Sequence, residues 1–151
     1  MIITPVSKVL KQMVADLSVK IRSDIDYIPY VLSIADSFAK VSGFDEENCK
    51  KIAVSIEEAL TNIIKYSYEN RKDEIIIIEL SFENSVLTMR LKHKGISFNL
   101  DDYKVKDIEQ LKREKRKGGF GIFLIRKFVD ELTVGEERGW KYYLMKKNLK
   151  K

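Results

Sequence analysis

The sequence predicts an α+β fold, a two-layer sandwich in which a mixed or mostly antiparallel sheet carries three helices on one face. Three observations predict it. A short period-two segment comes first, with Leu17, Val19 and Ile21 alternating against Ser18, Lys20 and Arg22. Two helical stripes follow it with no strand between them. The second half then holds two hairpin patterns separated by a charged stretch and one more helix, an order in which helices segregate to one side of an antiparallel sheet.

Each element has a local reason. Residues 1–15 are the least informative; Val6, Val9, Leu10, Met13 and Val14 fit one face of a short helix that Pro5 would suit at its start. After the strand Leu17–Arg22, Ser23-Asp24 is a helix N-cap signal, and Ile25, Ile28, Leu32, Ala35 and Phe38 carry a helical stripe to about Val41. Pro29 falls near the first turn, where a missing N–H is tolerated. Ser42-Gly43 ends that helix, and Asp45 caps the next, with Glu46 and Glu47 suiting its positive end. This second helix is expected to reach about Tyr68. Ile75–Phe82 and Val86–Lys92 form a hairpin about Glu83-Asn84, and His93-Lys94-Gly95 leaves it through a glycine. Asn99–Lys117 is charged and lacks an apolar period, as a lid or a mobile segment does. A helix opening at Gly118-Gly119-Phe120-Gly121 then presents Leu124, Ile125, Phe128, Val129 and Leu132. Leu132–Glu136 and Trp140–Lys147 close the chain as a hairpin around Glu137-Arg138-Gly139. The organisation is an extension (1–15), one domain (16–148) and a basic tail (149–151).

Composition narrows the function classes. The chain has 151 residues, 44% hydrophobic and 34% charged, enough for one domain with a real core. No apolar run is long enough to span a bilayer, so no membrane role is expected. The N-terminus lacks the pattern of a secretory signal, and Cys49 is the single cysteine, so a cytoplasmic, reducing location is expected. The net charge of +5 is interspersed and too weak to argue for nucleic acid; it favours an anionic ligand or an acidic protein partner.

Two stretches carry candidate chemistry. In Ile52–Tyr68 the apolar residues Ile52, Ile56, Ala59, Leu60 and Ile63 mark the buried face of a helix. At about 100° per residue, Glu58 and Asn62 lie within about 40° of each other on the shoulder of that stripe, with Ser55 and Tyr66, while Glu57 projects away. Two solvated border residues, or a carboxylate and a carboxamide lining a cleft, both fit. In Lys115-Arg116-Lys117-Gly118-Gly119-Phe120-Gly121 a basic run meets a glycine loop at a helix start. Free N–H groups and the helix dipole there attract phosphate, though a flexible hinge also fits. The stretch is not a Walker loop, because Gly121 is followed by Ile122-Phe123.

Together the two stretches resemble the boxes of the GHKL ATPases, the fold of histidine-kinase catalytic domains and gyrase B, and most of all the bacterial anti-sigma factors that act as serine-protein kinases. Glu58-Ala59-Leu60-Thr61-Asn62 with Tyr66-Ser67-Tyr68 resembles the N-box. Gly118–Ile125 and Phe128-Val129-Asp130-Glu131-Leu132 resemble the second glycine box and its sequel. The resemblance covers roughly residues 16–148. It implies ATP and Mg²⁺ as cofactors, Asn62 as the metal ligand, and Glu58 as the general base that takes the proton from a serine on a small antagonist protein. It implies that Gly118, Gly119 and Gly121 bind the phosphates, that residues 101–117 form a lid, and that Arg116 or Lys117 lies near the phosphate tail. It further implies protein partners, a sigma factor or an anti-anti-sigma-like substrate, and a homodimer.

Two departures stand out. The family's first glycine box is Asp-x-Gly, its Asp accepting from the adenine amine; here it is His93-Lys94-Gly95. His93 in that position would accept through one ring nitrogen when neutral; an exposed loop histidine is the plainer alternative. Gly139-Trp140 stands where many relatives have Gly-Thr, so Trp140 is expected at the base pocket. A non-catalytic protein-binding switch on the same fold, with weak or no ATP binding, is therefore the alternative function.

Overall fold

The alternation at 17–22 does become a strand, and everything later in the chain is placed relative to it. The computed structural model describes residues 15–97 and 119–150. The helix expected within 1–15 lies almost wholly outside them. So do the charged loop from 98 onward and, with it, Arg116, Lys117 and Gly118.

β1 (Leu17–Arg22) ends at Ser23, which is fully buried; its hydroxyl donates to the Arg71 carbonyl and accepts from the Glu74 N–H at 3.1 Å. Asp24 caps a single 3₁₀ turn, Ile25–Tyr27, by accepting from the Asp26 N–H at 3.0 Å. The helix proper, α1 (Ile28–Ser42), begins only then, which places Pro29 in its first turn as its missing N–H requires. Gly43 ends α1 at φ 110°, a left-handed conformation natural to glycine. Asp45 caps α2 (Glu46–Asn62) through the Asn48 N–H at 2.8 Å.

The expected continuation of α2 to Tyr68 is present but not as α-helix. Ile63–Ser67 widens into a π turn, with the Tyr68 N–H donating to the Ile63 carbonyl at 2.8 Å. A π turn inserts an extra residue and redirects the backbone groups that follow. No apolar period reports it, because Ile63 and Ile64 both remain buried through it.

β2 (Ile75–Glu83), β3 (Val86–His93), α3 (Gly119–Phe128), β4 (Glu131–Glu137) and β5 (Trp140–Asn148) complete the chain. The sheet order is β1-β2-β3-β5-β4, and every pairing is antiparallel, so the mixed alternative falls away. Among the described residues all three α-helices sit on one face, with α2 central, packed against α1 on one side and α3 on the other. The inner face of the sheet supplies Ile76, Ile78, Leu80, Leu87, Met89, Leu91, Tyr143 and Met145 to the core, and α2 supplies Ile52, Ile56, Ala59 and Leu60. Along α3 and the residue after it, Gly121, Ile122, Ile125 and Val129 are buried, whereas Leu124 and Phe128 of the expected face are only partly buried. Lys147 fixes the far end of α3, its ammonium donating to the Phe128 carbonyl at 2.6 Å, where the helix dipole favours a cation.

Candidate functional site

α2 brings its polar shoulder to the N-terminal end of α3. Glu57 is exposed, as its angle on the helix requires, whereas Glu58 is half-buried. Burial pushes the Glu58 carboxyl above the usual carboxylate range; neighbouring Glu57 adds to the rise and Lys65 partly opposes it. Gly121, in the first turn of α3, faces that carboxylate. A Cβ on Gly121 would stand 2.6 Å from Glu58 Oε2, so the missing side chain is what lets the two helices bring carboxylate and helix N-terminus together.

One turn beyond Glu58, Asn62 is 3% exposed, and its amide nitrogen is buried without a hydrogen-bond partner. An unpartnered buried amide end costs about 1–3 kcal/mol, so native proteins rarely leave one. Asn oxygen and nitrogen exchange places by a half turn about χ2, so this end presents either a donor or an oxygen ligand. Ser55 also turns out to be fully buried, its hydroxyl spent on the Lys51 carbonyl at 2.8 Å.

A second polar group forms where β3 ends. His93 is 1% exposed, which removes the exposed-loop alternative. Its ring meets Tyr68 edge-on at 5.8 Å and Tyr143 at 6.3 Å. Nδ1 accepts the Gly95 N–H at 3.2 Å, which assigns the hydrogen of the neutral ring to Nε2. Burial, with Lys141 adding to it, lowers the His93 pKa from 6.5 to about 4, so the ring is neutral at pH 7. The ring's one acceptor is thus committed to Gly95 and none is left for a ligand amine. Gly95 itself sits against the π turn: a Cβ there would collide with the Ser67 carbonyl, which also accepts the Ile96 N–H at 2.8 Å. The Tyr68 hydroxyl donates to the Ile75 carbonyl at 2.7 Å and accepts the Lys94 N–H at 2.7 Å, locking the same corner.

Trp140 is not in this corner. It lies on the opposite, outer face of the sheet, with Lys94 and Lys92 at 4.6 and 5.8 Å from its ring. The β5 residue paired with His93 is Lys141, whose ammonium donates to the Gly95 carbonyl. The motif alignment missed Lys141, although strand alternation could have found it: Tyr143 and Met145 mark the inner face, and Lys141 shares their parity.

The structure therefore brings Glu58, Asn62 and Gly121 together at one end of α2, and His93 and Gly95 together at the end of β3; Gly119 opens α3. Among the described residues no group of three or more His, Cys, Asp and Glu side chains is placed to hold a metal ion. A single oxygen ligand such as Asn62 fits a cation that keeps its waters and takes its other ligands from phosphates.

Among the described residues, five antiparallel strands lie under three helices, with a carboxylate on the central helix facing the glycine-opened end of the third, the architecture of a histidine kinase-like domain. The chain belongs to the histidine kinase-like ATPase domain family, which matches residues 21–143. Among curated relatives it is 32% identical over 130 residues to the serine-protein kinase RsbW of Staphylococcus aureus, with 82% of this chain and 80% of the relative covered. It is 24% identical over 127 residues to that of Listeria monocytogenes, with 82% and 81% covered. Its fold is similar to a chain in the crystal structure of the SiaB–SiaC complex from Pseudomonas aeruginosa, with a TM-score of 0.62, 12% identity and 95% of both chains covered. It is also similar to the blue-light activated histidine kinase EL346 of Erythrobacter litoralis, with a TM-score of 0.52, 16% identity and 80% of this chain against 41% of that one.

Proposed function

We propose that this chain is a regulatory serine-protein kinase of the anti-sigma class, which binds ATP and Mg²⁺ and phosphorylates a serine on a small antagonist protein. The observation that carries the reading is the pair on α2: a carboxylate with a raised pKa that faces the glycine-opened end of α3, and one turn on an unsatisfied buried amide. Asn62 would hold Mg²⁺ through its side-chain oxygen. When bound, that cation neutralises phosphate charge. Glu58 would accept the proton of the partner serine as its oxygen attacks the γ-phosphorus and the bond from that phosphorus to the β,γ-bridging oxygen breaks, with ADP as the leaving group. The raised pKa of Glu58 makes it a better base than an ordinary carboxylate. Phosphoryl transfer asks a protein mainly for position and electrostatics, which rigid α2 supplies. Gly118, Gly119 and Gly121 would receive the phosphates with their N–H groups, aided by Arg116 and Lys117. His93 and Gly95 would line the base end.

The protein partners belong to the same proposal: a sigma factor, an anti-anti-sigma-like substrate, or both, met by a homodimer in the cytoplasm. No described helix is long and apolar enough to cross a membrane. The test is a calorimetric titration with ATP, with and without Mg²⁺, on the wild type and Asn62→Ala. Mg²⁺-dependent binding that Asn62→Ala abolishes supports the reading. No binding at millimolar ATP overturns it in favour of the non-catalytic switch.

A further inference from the structure

The outer face of the sheet carries a cavity of about 230 Å³ that none of the preceding chemistry uses. Strand parity builds it. Arg90 and Lys92 on β3 project to this face beside Tyr142 on β5 and Glu79 on β2, while Trp140, Arg138 and Glu137 close the end at the last hairpin.

We propose that this cavity is an oxyanion site for a single phosphate group, with Arg90 and Arg138 as its recognising residues. Arg90 carries most of the argument. Its guanidinium lies 5.5 Å above the Tyr142 ring, and its Nε is buried without a hydrogen-bond partner. A buried charged donor left open is costly, and the acceptor that satisfies it best is an anionic oxygen. Glu79 does not supply that oxygen: it stands opposite Arg90 in the β2–β3 register, but its carboxylate pairs with Lys92 at 3.4 Å. Lys92 is thereby neutralised, and Lys92 and Lys94 are held over Trp140 rather than free.

Arg138 points to the same conclusion from the backbone. It sits at φ 54° with Gly139 at φ 83° in the two-residue β4–β5 turn. Such a turn favours Asn or Asp before Gly, and a long side chain in the left-handed region is uncommon. Arginine here places a second planar fork at the mouth of the cavity. With Glu79 spent, two guanidinium groups face the single carboxylate of Glu137. The cavity is below the usual size of a small-molecule pocket, so it suits one phosphate or phosphate monoester rather than a nucleotide. Guanidinium forks match phosphate geometry in a way that lysine does not.

Trp140 is the only tryptophan of the chain, so its fluorescence reports on this cavity alone. The full chain is titrated with inorganic phosphate and, separately, with O-phosphoserine, at constant ionic strength set by chloride. A saturable change in emission is expected. Saturation by inorganic phosphate assigns the free ion, and saturation by O-phosphoserine alone assigns a monoester; either supports the site. Arg90→Met, which keeps the apolar stem, and Arg138→Ala, on an exposed turn, should each weaken the response about tenfold. Asn62→Ala should leave it unchanged, which separates this site from any phosphate bound at α2 and makes its failure independent of the kinase reading. Three results overturn the proposal: a linear drift matched by chloride, a response that survives both arginine substitutions, or an emission change that follows protein concentration instead of phosphate, which would mean that a second copy of the chain covers the face.

Discussion

The α2 end and the β3 end of the candidate site differ in how far their polar groups are satisfied. At the β3 end the groups that close the corner are bonded to one another: His93 Nδ1 takes the Gly95 N–H, Lys141 donates to the Gly95 carbonyl, Ser67 accepts from Ile96, and Tyr68 bridges Ile75 and Lys94. At the α2 end the Asn62 amide nitrogen is buried and unpaired, and Glu58 is partly desolvated with a raised pKa. A satisfied cluster holds structure, whereas an unsatisfied one stores free energy that a ligand can release. The His93 departure from the family pattern falls at the satisfied end, Trp140 lies apart on the outer face, and Glu58 and Asn62 keep the family's polar residues at the open end.

The comparison can be broken at several points. The largest effect is expected at Glu58. Glu58→Ala should lower phosphoryl transfer by about 10²- to 10⁴-fold, the usual worth of a general base, while calorimetry still shows ATP binding. Retained transfer would return Glu58 to the role of a helix border residue.

Next come the two glycines, one at each end. Gly95→Ala meets the backbone of Ser67, which cannot step aside, and should cost about 1–3 kcal/mol or more in urea unfolding. Gly121→Ala meets only the tip of the Glu58 side chain, so stability should change by less than about 1 kcal/mol while transfer falls because the carboxylate is displaced. Equal stability losses would erase the distinction between the two ends.

His93 then sets a pH dependence. Its folded pKa of about 4 lies below the ordinary 6.5, so the unfolded chain takes up a proton that the native one refuses. Its contribution is full above pH 6.5 and is lost as pH falls from 6.5 to about 4. The loss approaches about 3 kcal/mol over that window. His93→Phe should flatten it, which unfolding midpoints of both proteins at pH 7 and pH 4.5 will show.

The smallest effect is the most diagnostic of the base end. An aspartate has two oxygens, one for the Gly95 N–H and one left for a ligand amine, with Lys141 as counter-charge. His93→Asp should therefore tighten ATP binding about tenfold, read by calorimetry. No gain would mean that the base does not reach His93.

Much of this was legible in the sequence because it depends on short-range periodicity. The β1 alternation, the Asp45 cap, the Gly43 stop and both hairpins are local, and each falls within a residue or two of its expected limits. Glu58 and Asn62 were visible as a pair because a helix fixes their angle. The π turn was not, since Ile63 and Ile64 are apolar in either geometry. Trp140 was misplaced because a motif was followed across β5 where the strand's own parity points the other way.

By itself, then, the sequence determined the α+β class, the order of elements and the pairing of a carboxylate with an amide on one helix, because each rests on chemistry within a few residues. Only the tertiary structure decided which polar groups are satisfied. That Asn62 lacks a partner, that His93 spends its acceptor on Gly95, that Gly121 makes room for Glu58, and that Arg90 is left open on the outer face all depend on atoms that strands and helices bring together from distant positions. Whether a buried group is free to bind is settled by those neighbours and not by its own residue type.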